Sequence, residues 1–146
     1  MIIREATRAD SPRLVAMTER FLATTRYGDV LGAADVEMLE ALIGTVIDHG
    51  VIFVADIEGR LEGMLGIVAL VHPVTGEPYG EELAWWVEPE ARARSIGPRL
   101  LKTGEDWARA RSLTRLKMVA PVGSGVGAFY QRCGYHPVEV AYLKVF

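Results

Sequence analysis

Trp85-Trp86-Val87-Glu88-Pro89-Glu90-Ala91-Arg92-Ala93-Arg94-Ser95-Ile96-Gly97-Pro98-Arg99-Leu100-Leu101 is the stretch on which the fold turns. Two tryptophans and a valine read as the end of a strand, and Pro89 stops it, because proline lacks the N–H that a ladder needs. A basic turn of small residues follows. Leu100, Leu101, Trp107 and Ala108 then recur at helical spacing within Gly97 to Arg111. A helix start exposes backbone N–H groups and the positive end of the helix dipole, and small residues let an anion approach them. Arg92, Arg94 and Arg99 place three cations within eight residues. Each can add ~1.5–3 kcal/mol through a charge-assisted hydrogen bond to a phosphate. The turn is therefore a candidate phosphate cradle; the competing reading is an ordinary strand-to-helix loop with solvated arginines. It is not a Walker loop, since no Gly-Lys-Ser/Thr follows, and it lacks the glycines of a dinucleotide fingerprint.

Upstream of this stretch, Glu81 to Val87 forms the third strand of an antiparallel meander. The run Val51 to Ala55 and the run Leu61 to Val71, joined by the turn Glu58-Gly59-Arg60, supply the first two strands. The loop with Pro73, Gly76, Pro78 and Gly80 reverses the chain between the second and third. Earlier still, Ile2 to Glu5 reads as a short strand, and Leu14, Val15, Met17, Phe21 and Leu22 mark a helix. That helix starts either at Thr7, with Asp10 in a capping-box position, or at Ser11 before Pro12; Thr7 is preferred. After the polar stretch Thr24 to Gly32, a second helix carries Val36, Leu39, Leu42, Ile43, Val46 and Ile47 and ends at Asp48-His49-Gly50. Downstream come a strand from Leu116 to Ala120, a short helix from Val126 to Arg132 closed by Gly134, and a last strand from Val138 to Phe146. The order βααβββαβαβ predicts one α+β domain over residues 1–146.

The composition narrows the function classes. The chain is 146 residues long, 50% hydrophobic and 24% charged, which suits one globular domain and excludes disorder or a fibrous repeat. Sixteen basic against nineteen acidic residues leave a net charge of −3, so no general field holds a nucleic-acid backbone. No apolar run approaches the ~18 residues a membrane span needs, and the start is charged too early for a signal peptide. Cys133 is the single cysteine, which excludes an internal disulfide and points to a reducing, cytoplasmic location. His49, His72 and His136 are too dispersed for a recognisable metal site, and none is predicted.

Two motifs carry a family resemblance. A strand ending Trp86-Val87-x-Pro89-Glu90, then Arg92-x-x-Ser95-x-Gly97 opening a helix, resembles the coenzyme A loop of the GNAT superfamily of N-acetyltransferases, usually Gln/Arg-x-x-Gly-x-Gly/Ala. Phe129-Tyr130-Gln131-Arg132-Cys133-Gly134-Tyr135 resembles the same family's late signature of aromatic-tyrosine, three residues, glycine-aromatic. The element order also agrees, so the resemblance spans Ile2 to Phe146. It implies a mixed, mostly antiparallel sheet flanked by helices, with a central parallel pair, Glu81 to Val87 and Leu116 to Ala120, that splays apart.

The resemblance implies acetyl-CoA as co-substrate. Backbone amides of Arg92, Ala93, Arg94, Ser95, Ile96 and Gly97 would hold the pyrophosphate, with Arg99 as a side-chain partner. Trp86 and Val87 would offer backbone groups to the pantetheine arm by strand addition. Ser95 departs from the usual glycine, and its hydroxyl can itself donate to a phosphate. Gly123 stands where an asparagine often touches the cofactor arm, and Ser124 is the candidate substitute. Pro98 lacks an N–H, but a helix start leaves that donor unpaired in any case.

An amine attacks as the neutral form, so its proton needs a base and the departing thiolate needs an acid. By position Tyr130 matches the family tyrosine that faces the coenzyme sulfur, the alternative being a ring packed in the core. Glu81 and Glu82 begin the central strand and alternation sends them to opposite faces, so one could face the acceptor cleft. Solvated strand ends and a water chain are the alternatives, and His72 comes after the two glutamates. Cys133 reads as packing. The acceptor pocket is expected between the first two helices, at Phe21 to Gly32, and at the loop His72 to Gly80, where Asp29, Asp35 and Glu77 would favour a cationic acceptor. The function expected is transfer of an acetyl group from acetyl-CoA to a primary amine by direct attack in a ternary complex. A non-catalytic acyl-CoA binding or sensing module is the alternative. Dimers are frequent among similar proteins, so a homodimer is expected by analogy.

Overall fold

Val51–Ala55 lies in the interior of the sheet, because five consecutive buried residues require a strand covered on both faces. In the computed structural model, which describes residues 1–146, they lie in β2 (Gly50–Ile57) between β1 (Ile2–Glu5) and β3 (Arg60–Val71). β4 (Pro78–Val87) and β5 (Leu116–Lys117) complete the order β1-β2-β3-β4-β5, antiparallel except for β4 with β5. Alternation sorts β2: Ile52 and Val54 face one layer, Val51, Phe53 and Ala55 the other. The first layer is α1 (Ser11–Thr24) and α3 (Val36–His49), which bury Leu14, Val15, Met17, Ile43 and Val46. The second is α4 (Ile96–Ala110), whose Ile96, Leu100, Trp107 and Ala108 pack on Leu65 and Ile67. Leu14, Met17, Leu65, Ile67, Ile96 and Leu100 are almost wholly buried, each contributing ~1.5–3 kcal/mol.

The mixed sheet with its parallel β4/β5 pair is the α+β architecture expected from the sequence, and several boundaries differ. Both starts considered for the first helix are used. The Thr7 N–H and hydroxyl donate to the Asp10 carboxylate at 2.7 and 3.2 Å around a 3₁₀ turn, Arg8–Asp10, while Ser11 and Pro12 open α1. The polar stretch after α1 contains a short helix, α2 (Arg26–Leu31). It folds back so tightly that a Cβ at Gly28 would lie 2.1 Å from the Leu22 carbonyl oxygen, and Gly32 at φ +79 ends it. α5 (Val126–Arg132) falls where the periodicity places it.

Two strand expectations fail. β5 stops after two residues, Leu116 and Lys117, instead of reaching Ala120. The cause lies in β4: Glu82 pairs with Ile67 and Ala84 with Gly66, so Leu83 is an extra residue. A bulge of this kind bends its strand out of register with the next. The expected last strand, Val138 to Phe146, is absent; those residues lie exposed beyond a β5 too short to continue their ladder.

Candidate active site

The basic turn folds as a 3₁₀ segment, Pro89–Arg94, leading into α4 through Ser95, which adopts the left-handed conformation at φ 56 and ψ 27. A glycine is the usual occupant of such a position, for want of a Cβ. No side chain caps the start of α4, so its first N–H groups lack intrahelical partners. Arg92, Ala93, Arg94, Ser95 and Arg99 are exposed, whereas Ile96 is fully buried and serves as the anchor of the turn. Gly97 lets the helix start approach β4, because a Cβ there would lie 3.1 Å from the Trp85 ring. Arg94 and Arg99 form no ion pair, while Arg92 donates from Nε to the Val87 carbonyl at 3.2 Å and covers the Trp86 ring. The open helix start and free guanidinium groups have the donor chemistry that a diphosphate needs.

The second half of the site lies where β4 and β5 part. Only Gly80 with Leu116 and Glu81 with Lys117 are paired; beyond them side chains replace the ladder. The Val119 N–H donates to Glu82 Oε2 at 2.7 Å, and the Tyr130 hydroxyl donates to the Val119 carbonyl at 3.3 Å. Glu82 follows the face of its partner Ile67 toward α4, as alternation dictates. Trp85 stacks on Tyr130, ring centres 5.5 Å apart, and on Phe129 at 5.8 Å. The gap between the two strands thus has a carboxyl, a phenol and an indole at its edge. Burial pushes the Glu82 carboxyl up to about 7, against the opposing pull of the Val119 N–H and of the neighbouring Tyr130 hydroxyl. Burial, then the neighbouring Glu82 charge, raises the Tyr130 phenol far above its ordinary value, so it keeps its proton at neutral pH.

Most of the other expected residues have partners of their own. Glu81 is taken up by Lys117 at 3.2 Å and by the Tyr79 hydroxyl at 3.0 Å. Trp86 is buried, its indole N–H donating to Glu88 at 3.3 Å. The Ser124 hydroxyl donates to the Pro121 carbonyl at 2.7 Å and closes a local turn, and Gly123 sits at φ +78. His72 accepts the Val74 and Thr75 N–H groups at its Nδ1, both 3.3 Å away. Of the acidic residues expected to attract an acceptor, Asp35 caps α3 by accepting from Met38 N at 3.0 Å, and Glu77 pairs with Arg115 at 2.5 Å. Asp29 remains exposed on α2. Cys133 is free and exposed rather than packed. Val119 and Leu83 had no signal in the sequence, since one acts through its backbone and the other through a bulge; Trp85 was readable only as a wall residue.

A separate cleft of about 550 Å³ is lined by Arg13, Arg20, Arg60 and Arg94 with Glu58, Glu62 and Glu90, and neither Glu82 nor Tyr130 borders it. No group of three His, Cys, Asp or Glu side chains is placed to hold a metal, and no helix is long and apolar enough to cross a membrane.

Residues 15–135 match the model of the acetyltransferase (GNAT) family. The chain belongs to that family and is an acyltransferase of the GNAT type. No curated protein matches its sequence. Solved structures agree in fold. A transcriptional regulator from Bacillus halodurans C-125 is 18% identical, with 99% of each chain covered and a TM-score of 0.82. The ribosomal-protein-alanine N-acetyltransferase of Brucella melitensis biovar Abortus 2308 is 19% identical over 100% of both chains, with a TM-score of 0.73. An aminoglycoside acetyltransferase from an uncultured soil metagenomic sample, in complex with trehalose, is 15% identical, covering 99% of this chain and 95% of that one, with a TM-score of 0.76.

Proposed function

We propose that the protein is an N-acetyltransferase that moves the acetyl group of acetyl-CoA to a primary amine by direct attack in a ternary complex in the cytoplasm. The observation that carries this reading is the pair Glu82 and Tyr130 on the two backbone groups of Val119, at 2.7 and 3.3 Å, at the parting of β4 and β5. The first turn of α4, with Arg94 and Arg99, would hold the diphosphate, and the free edge of β4 at Trp86 and Val87 would pair with the arm. For Val87 this requires the Arg92 side chain to leave its carbonyl. Acetyl-CoA supplies an activated thioester. Glu82, with its carboxyl at about 7, is ionised in a useful fraction at neutral pH and takes a proton from the substrate ammonium, directly or through one water, so that the neutral amine attacks the thioester carbonyl. Glu81 is not given this role, because Lys117 holds it as an ion pair. Tyr130 keeps its proton and gives it to the departing thiolate, and backbone N–H groups of β4 polarise the carbonyl.

Thiol release from acetyl-CoA across an amine panel tests the reading. The wild type should release coenzyme A with some amine, and Tyr130→Phe should lower kcat by about 10²–10⁴-fold with acetyl-CoA affinity unchanged. Binding of acetyl-CoA with no thiol released by any amine would favour the non-catalytic acyl-CoA module instead.

A further inference from the structure

Of the three polar side chains at the edge of the gap between β4 and β5, two are already engaged. Glu82 accepts from the Val119 N–H, and Tyr130 donates to the Val119 carbonyl. The third is Trp85. Its indole Nε1 exposes less than 1 Å² and has no hydrogen-bond partner. A donor shut off from both water and an acceptor is costly, and a phenylalanine or leucine would fill much of the same space without one. An orphan of this kind points to an acceptor that arrives with a ligand. Trp107 has the second unpartnered indole N–H, but it packs in the core in the last turn of α4, under the Arg111 guanidinium.

The position of the Trp85 ring defines the acceptor. One edge lies against the start of α4: Cζ2 is 3.1 Å, and Cε2, the carbon bonded to Nε1, is 3.8 Å from where a Cβ at Gly97 would stand. The ring also stacks on Tyr130, centres 5.5 Å apart. It therefore bridges the helix start that suits a diphosphate and the phenol that suits a sulfur. Coenzyme A joins these two groups by an uncharged arm whose amide carbonyls are strong acceptors. We propose that the Trp85 indole N–H donates to an amide carbonyl of the coenzyme A arm, in the half next to the diphosphate. The assignment rests on the acetyl-CoA reading and adds a side-chain donor to the pairing of the arm with the β4 backbone. Stacking on Phe129 and Tyr130 holds the donor in place before the arm arrives, so little ordering is lost on binding.

Calorimetric titration of the full chain with coenzyme A and with ADP, which carries the diphosphate but no arm, tests this. Trp85→Phe keeps a ring against Phe129 and Tyr130 and removes the donor. It should bind coenzyme A about tenfold more weakly and ADP as the wild type does. The free variant should melt close to the wild type, because the N–H it loses is unpaired. In proton–nitrogen correlation spectra of the wild type, the indole signal that Trp85→Phe lacks should move downfield with coenzyme A and stay in place with ADP. Three results each overturn the proposal: an indole signal unmoved with coenzyme A bound, equal coenzyme A affinity in variant and wild type, or an equal loss for coenzyme A and ADP. A wild type that binds neither compound brings down the acetyl-CoA reading itself, and this assignment with it.

Discussion

A carboxyl pushed up to about 7 by burial titrates within the range where an acetyltransferase is assayed, so Glu82 can be read in two independent measurements. As the base it must be ionised: kcat/KM for the amine should rise with pH and level off above about 7. Glu82→Gln should remove that limb and lower kcat/KM by about 10²–10⁴. The stability effect has the opposite sense. Below the unfolded value near 4.5 both states hold the proton; as pH climbs to about 7 the unfolded chain releases it first, and stability falls. At ~1.36 kcal/mol per unit, reduced for the water that reaches the group, Glu82→Gln should be about 2 kcal/mol more stable than the wild type above pH ~7. Urea unfolding at two pH values checks this. Ser95 offers a second test. Its φ of 56 strains a side chain that glycine lacks, so Ser95→Gly should gain about 0.5–1 kcal/mol and bind coenzyme A more tightly, while Ser95→Ala should gain nothing. Thermal melts and calorimetric titration separate the two. Tyr130 was legible because its neighbours Phe129 and Gly134 form a local pattern. The choice of Glu82 over Glu81 was not, because it rests on a lysine 36 residues away, Lys117, that claims one carboxylate and leaves the other in the gap.

At the scale of elements, β4 and α4 meet where Gly97 allows the helix start to touch the Trp85 ring. An aromatic ring held by stacking on Phe129 and Tyr130 has little freedom to retreat. Gly97→Val should therefore push the turn outward, destabilise by about 1–3 kcal/mol, and raise KM for acetyl-CoA with kcat little changed, because Glu82 and Tyr130 stay on Val119. Steady-state kinetics with acetyl-CoA varied make the distinction. The meander, α3, α4 and α5 were readable from periodicity, since their apolar residues report which face is covered. The splay was not. It needs an extra residue at Leu83, and an extra residue in a strand of apolar side chains leaves the pattern looking like a strand. For the same reason β5 was overestimated: Leu116 to Ala120 has strand composition, but Val119 spends its backbone groups on side chains rather than on β4.

Across the whole molecule, one buried carboxylate joins the helical layer to the basic turn before α4. Glu88 is 1% exposed, and Arg13 and Arg20 of α1 pair with it at 2.7 and 2.9 Å. Arg13 also donates to the Leu61 carbonyl at 3.0 Å, and the Glu88 carbonyl accepts the Ala91 N–H at 2.9 Å inside the turn. In the sequence Glu88 is simply a charged residue before a proline, because its partners lie 75 and 68 positions away. Burying a charge is costly unless it is paired, and the penalty is largest when the partners go and the charge stays. The order of three variants follows. Removing both partners, Arg13→Met with Arg20→Met, strands the carboxylate and should cost about 3–5 kcal/mol. Glu88→Gln keeps a hydrogen-bonding side chain and leaves two arginines that water can reach, so it should cost less, about 1–2 kcal/mol. Arg20→Met alone leaves the Arg13 pair intact and should cost least. Chemical denaturation gives the order, and coenzyme A affinity should fall in step with it, because the turn that Glu88 braces is the one that opens α4. Three equal losses within ~1 kcal/mol would mean that the cluster behaves as a set of surface ion pairs and that the turn stands without it.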